Sequence, residues 1–309
     1  MSANVETMFY VRETPWHGLG TRVEEAPTSE EALHLAGLDW TVEQHPVQLS
    51  GGATIPGYKA NVRSTDKHVL GIVSDRYKIV QNTEAFSFTD ELIGGDVRYE
   101  TAGSLQNGKR VWLLAKMSQT KVAGDEVDPY LCFTNTHDGT GSIRVCMTPI
   151  RVVCNNTLNV ALRSASRSWS ACHIGDMDNK LQEARMCLEL ADQYMEELDK
   201  RADQLANTNV SEDQIQDLLA DLFPESEEVT ERKKKTIEKS KEEFYVCYLR
   251  PDIAQFFGTA WGVINAMSDM VCHSEPHRKT QNYQANNWGR IMDGHKMIDR
   301  TVELLTAKH

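Results

Sequence analysis

From position 181 onward, the apolar residues Leu181, Ala184, Leu188, Ala191, Met195, Leu198, Ala202 and Leu205 recur in alternating steps of three and four. That spacing predicts a heptad seam along one helix face, held over about 25 residues. Two antiparallel helices within one chain produce such a seam, and so does self-association. Before it, the periodicity is shorter. Residues 29–40 (SEEALHLAGLDW) predict a short helix with Ser29 as N-cap and Gly37 at its end. From about 42 to 153 the pattern is mostly strand, with Val69 to Ser74 and Arg76 to Val80 as short strands around a tight connection. Asn82 is expected to cap a helix through NTEAFSFTDELIGG, with Ala85, Phe86, Thr89, Leu92 and Ile93 on one face and Gly94-Gly95 as its stop.

Two hairpins follow. Asn107-Gly108 supplies the residues that tolerate φ > 0 at the centre of a type I′ turn. After it, Val111, Leu113 and Ala115 alternate with Trp112, Leu114 and Lys116. Asp138-Gly139 marks the second turn. Asn156 is expected to open a helix, TLNVALRSASR. Ser211 with Gln214 reads as a capping box for a helix ending near Phe223-Pro224, and further helices are expected near 225–248, 253–272 and 287–306. The fold class predicted is α+β: an antiparallel sheet with helices on one face over residues 1–175, then an all-helical domain over 176–309 that carries the heptad-patterned helix.

Composition narrows the setting. The chain has 309 residues, 40% of them hydrophobic, which suits a soluble protein with a sizeable core. No run approaches the roughly 18 apolar residues of a membrane span, so no membrane association is expected. The opening residues lack a basic start followed by an apolar stretch, so no signal peptide is expected. Seven cysteines, an odd count without framework spacing, suit free thiols in a reducing cytoplasm.

The net charge of −12 speaks against broad, non-specific nucleic-acid binding. Its distribution changes that picture. Residues 1–60 carry three basic and eight acidic side chains, and residues 179–309 carry 17 and 24. Between Gly139 and Gly175 there is no Asp or Glu, yet Arg144, Arg151, Arg163 and Arg167 all lie there. A locally basic strip on an acidic chain suggests a focused anion site. If Asn156 caps a helix, Asn159, Arg163 and Arg167 follow along one face. Free N–H groups at the helix mouth, organised by Asn155 and Asn156, add positive potential. Arg144 and Arg151 on the preceding strand are expected to reach the same region. Solvent, phosphate or acids elsewhere in the fold must satisfy these guanidiniums. Trp112, Tyr130, Phe133 and Trp169 are nearby aromatics able to stack on bases, or else to fill the core.

Other motifs carry less. GSLQNGKR, residues 103–110, resembles a phosphate-binding loop, but Arg110 stands where a Ser or Thr must meet magnesium and the stretch sits in a hairpin. THDG, residues 136–139, sets His137 beside Asp138. Adjacent strand residues face opposite ways, so turn chemistry explains the pair better than an acid–base couple. Cys172-His173 and Cys272-His273 lack the spacing of zinc ligands, and no metal or cofactor is expected. PWHGLG, residues 15–20, places His17 among glycines that let backbone approach a ligand or another strand.

Taken together, PWHGLG, DRYKIVQNTEAF, VRYETAGSLQNGKRVWLLAKM, FTNTHDGTGS followed by TPIRVVCNNTL, and FGTAWGVINAMSDMVCH resemble the phage/plasmid-like family of unknown function, the domain-of-unknown-function 932 group. The resemblance implies a soluble protein of mobile elements and brings no established chemistry. A second resemblance concerns element order alone. Strands, the helix at QNTEAFSFTDELI, a meander and an Arg-bearing helix are similar to the core of single-strand annealing recombinases, in which a basic groove holds DNA and subunits form rings. Fold analogy of this kind does not license function.

Three functions follow as expectations. The first is a protein that binds single-stranded nucleic acid, acting in annealing or recombination as a homo-oligomer, with Arg144, Arg151, Arg163 and Arg167 on phosphate. The second is an enzyme for a small anionic or nucleotide substrate, using His17 or His137 as acid or base. The third is a protein-interaction factor directed at a host defence or replication protein.

Overall fold

The computed structural model describes residues 5–11, 20–93, 97–151, 156–157, 168–188, 191–224, 230–273 and 295–307. The protein is α+β, with sheets in its N-terminal part and helices in its C-terminal part. It forms two compact units. Unit 1 comprises Met1–Met117, Tyr130–Met147 and Ser166–Ala191; unit 2 comprises Ser118–Pro129, Thr148–Ala165 and Asp192–His309. The boundary expected at 175–176 therefore falls within the last segment of unit 1.

Strands β1 (Val5–Val11), β2 (Thr21–Val23), β6 (Arg98–Leu105), β7 (Arg110–Lys116), β8 (Thr120–Val122), β9 (Asp125–Thr136), β10 (Ile143–Arg151), β11 (Asn156–Thr157) and β12 (Ser168–Ala171) build the larger sheet. Its order is β11-β10-β9-β7-β6-β1-β2, with β12 on β10 and β8 on β9. Within it β1 and β2 run parallel, while the pairs β1–β6, β6–β7, β7–β9, β8–β9, β10–β11 and β10–β12 run antiparallel. A separate three-stranded antiparallel sheet has the order β3 (Val42–Gln48), β4 (Thr54–Arg63), β5 (Val69–Ser74).

In unit 1, the helices α1 (Ser29–Leu35), α2 (Asn82–Ile93) and α3 (Met177–Leu188) supply the apolar cover of the larger sheet. Ala32, Ala85, Phe86, Phe88 and Ala184 join Phe9, Tyr99, Val111, Leu113, Ala115, Leu131, Phe133, Ile143 and Val145 in one core cluster. The alternation read in β7 is what places Val111, Leu113 and Ala115 together there. Asn107-Gly108 does sit in the β6–β7 hairpin, and the positive φ values begin one residue earlier, at Gln106.

Several element ends differ from expectation. The N-cap of α1 is Thr28, not Ser29: Glu31 accepts hydrogen bonds from the Thr28 N–H at 3.0 Å and the Thr28 hydroxyl at 2.9 Å. Residues 76–80 form no strand; only Tyr77 pairs, as an isolated bridge to Ile174. Asn82 does not cap α2. Gln81 takes that place, its N–H bound to Glu84 at 2.7 Å, while Asn82 turns inward. Asn156 and Thr157 are strand residues opposite Arg151 and Ile150; the helix expected beyond them, through residue 167, lies outside the described residues.

The seam from 181 to 205 is divided as well. Leu181 and Ala184 lie on α3 against the core of unit 1. Met195, Leu198, Ala202 and Leu205 are buried residues of α4 (Ala191–Ala206), nearly all of which belongs to unit 2. Unit 2 continues with α5 (Glu212–Leu222), α6 (Glu231–Tyr248), a 3₁₀ helix (Pro251–Phe256), α7 (Ala260–His273) and α8 (Lys296–Ala307). Ser211 and Gln214 form the capping box expected for α5. Helix α7 is buried from Ala260 to Met270, which is why its sequence shows so little polar punctuation. Among the described residues no helix is long and apolar enough to cross a membrane.

Candidate functional site

The densest polar chemistry in unit 1 is internal. Phe133 and Asn135 at the end of β9, and His137 one residue past it, occupy successive same-face positions, so the phase that puts Phe133 in the core carries two polar side chains inward with it. Both are fully buried. The Asn135 amide donates to the Val80 carbonyl at 2.9 Å. Asn82 gives its amide hydrogens to the carbonyls of Leu38 (3.0 Å) and Trp40 (3.3 Å), which leaves its Oδ1 facing His137 Nε2 at 3.1 Å. An oxygen can only accept, so Nε2 carries the hydrogen and Nδ1 is a bare lone pair. Among the described residues, that buried Nδ1 has no partner.

From the three-stranded sheet, Asn61 donates to the His137 carbonyl at 2.7 Å. Gln44 donates to the Tyr77 carbonyl and to Asn61 Oδ1. Tyr77 donates to the Thr136 carbonyl, and its ring stacks on His173 at 4.5 Å. His173 is held by a mirrored logic. Its Nδ1 lies 3.0 Å from the Lys78 carbonyl and so carries the hydrogen, while its buried Nε2 has no partner among the described residues. Burial lowers the pKa of His137 to about 3; His173 adds to the shift and Asp138 opposes it. Burial also lowers that of His173, against the favourable bond to Lys78.

His137 is thus sealed and neutral, with its one available hydrogen committed to Asn82. A general base must reach a substrate proton; this ring holds strands and a helix together instead. Asp138 serves the turn, accepting from the Thr140 N–H at 2.9 Å and the Thr140 hydroxyl at 2.7 Å. Sequence reasoning passed over Asn61 and Asn135, and weighed His173 only as a metal ligand. The signal available for Asn135 was a polar residue at a core-phase strand position.

The arginine run is only partly described. Arg144 is half-buried on β10, opposite Ser170 of β12, and belongs to unit 1. Its charge reaches the buried Cys132 thiol, where it opposes the upward pKa shift that burial causes. Arg151 and Asn156 belong to unit 2 and are cross-strand neighbours. His17, Asn155, Asn159, Arg163 and Arg167 lie outside the described residues. Of the aromatics considered for base stacking, Phe133 and Trp112 are buried, and Trp169 packs against the core. Tyr130 is half-buried.

Residues 69–290, more than half of the chain, match the family described as Domain of unknown function (DUF932). The chain belongs to the DUF932 family. The matched region contains Tyr77, Asn82, Asn135, His137 and His173 together with the whole acid-free run; Gln44 and Asn61 precede it. No curated protein and no solved structure matches the chain.

Proposed function

We propose that this DUF932 protein binds single-stranded nucleic acid, as an annealing or recombination factor of a phage or plasmid working in the cytoplasm as a homo-oligomer. The observation that carries the reading is the run from Gly139 to Gly175, which holds four arginines and no acid in a chain of net charge −12. Such a run concentrates positive potential on a narrow strip while the remainder repels polyanions, which favours one threaded strand over a duplex lying on a broad face. With Trp112 and Phe133 in the core, phosphate contact rather than base stacking is the mode, so binding is salt-sensitive and tolerant of sequence.

The test is size-exclusion chromatography with light scattering, run at low salt with and without a labelled single-stranded oligonucleotide. The expected result is co-elution at a mass above that of one chain plus one oligonucleotide. A monomer that leaves the oligonucleotide in its free position would contradict the proposal.

A further inference from the structure

We propose that His137 and His173 form an acid-released latch that fastens the β3–β4–β5 sheet to the rest of unit 1. The geometry for this is complete without reference to nucleic acid. Each ring has spent its hydrogen on an internal acceptor, His137 on Asn82 and His173 on Lys78. Each buries its other nitrogen without a hydrogen-bond partner among the described residues. Protonating either ring therefore creates a buried N–H without a partner and a charge without water, and the fold can relieve both only by opening.

The strands that open are set by the partners. Asn61 of β4 holds the His137 carbonyl, and Gln44 of β3 holds the carbonyl of Tyr77, the residue stacked on His173. Strand β5 meets the same turn, for a Cβ on Gly71 would lie 2.6 Å from Asp138 Cα. The charged and titratable groups around the pair do not rescue a proton. His173 disfavours charge on His137, and Lys180 of α3 disfavours it on His173. Asp138 favours it, but its Oδ1 is engaged by Thr140. Arg63, over the Trp40 ring at 5.5 Å, adds a further positive charge beyond the indole that meets His137 edge-on. It is paired with Glu6 and Asp66. Lys59 is bound to Gln44, and Tyr77 stays protonated because burial raises its pKa.

Amide hydrogen exchange on the full chain between pH 7 and 5, corrected for intrinsic exchange, tests the latch. Opening that takes up one proton weakens protection in β3–β5 by about tenfold per pH unit below about 6.5, and opening that takes up two by about a hundredfold. Protection in β6 and β7 is expected to hold over the same range. Equal loss in both sheets, or none in either, would overturn the proposal. The variant H137Q/H173N keeps each donated hydrogen at the same ring position and cannot titrate; it is expected to abolish the pH response of β3–β5, and an unchanged response overturns the latch. Should that variant fail to fold, side-chain nitrogen resonances of the unaltered protein decide. The latch requires hydrogen on Nε2 of His137 and Nδ1 of His173 at pH 6, and either ring titrating near 6.5 rejects it.

Discussion

Asn82 is the residue on which the interior of unit 1 turns. One side chain accepts from His137 and donates to the carbonyls of Leu38 and Trp40. Asn82→Ala leaves a buried ring N–H and two carbonyls without these partners, and each such orphan costs about 1–3 kcal/mol. A loss of at least about 3 kcal/mol in urea unfolding is expected; a loss below about 1 kcal/mol would show the network to be dispensable. Protonation acts on the same place. An unfolded histidine titrates near 6.5, whereas His137 in the fold resists protonation down to about pH 3. Between those values the unfolded chain binds the extra proton, so this contribution is whole above pH 6.5 and declines as pH falls towards 3. By pH 5.5 one such group removes about 1.4 kcal/mol. Urea midpoints at pH 7.5 and 5.5, compared between the parent and H137Q, check the size and the sign. The inward role of Asn82 was hidden in the sequence because asparagine before an apolar run is also the commonest signature of a helix cap.

At the scale of elements, what could be read was periodic and what could not was tertiary. The strand alternation around Val111, Leu113 and Ala115 needs only a two-residue repeat, and it stands. Thr28 was missed as a cap because Ser29 beside it is the better capping type. The two separate cleanly: Thr28→Ala is expected to cost about 1 kcal/mol by thermal unfolding, and Ser29→Ala less than about 0.5 kcal/mol. Equal effects would return the cap to Ser29. The strand position of Asn156 was missed for a related reason. Asparagine suits turns as well as helix starts, and pairing of Asn156 with Arg151 is a contact no local pattern announces. The seam from Leu181 to Leu205 keeps a regular spacing across two helices whose buried faces belong to different units. Gly71 shows the same limit: nothing in VLGIVS says that the turn at Asp138 will approach within 2.6 Å of its missing Cβ. Gly71→Ala is expected to lower stability by about 1–3 kcal/mol through overpacking.

For the whole molecule, the claim that matters is that an acidic protein carries one strip suited to a polyanion. The acid-free run behind that proposal was legible from composition alone, since it required only the counting of Asp, Glu, Arg and Lys along the chain. The division into interleaved units was not, because segments 118–129 and 148–165 join unit 2 from within the sheet-forming sequence. The most direct measurement is the salt dependence of affinity for a labelled single-stranded oligonucleotide, by fluorescence anisotropy, in the parent protein and in R144Q and R151Q. For single strands each phosphate contact contributes about 0.7 to the slope of log K against log salt. The account predicts a steep negative slope in the parent and a slope shallower by about 0.7 in each variant. Absence of binding at low salt, or a slope that neither substitution changes, would contradict it.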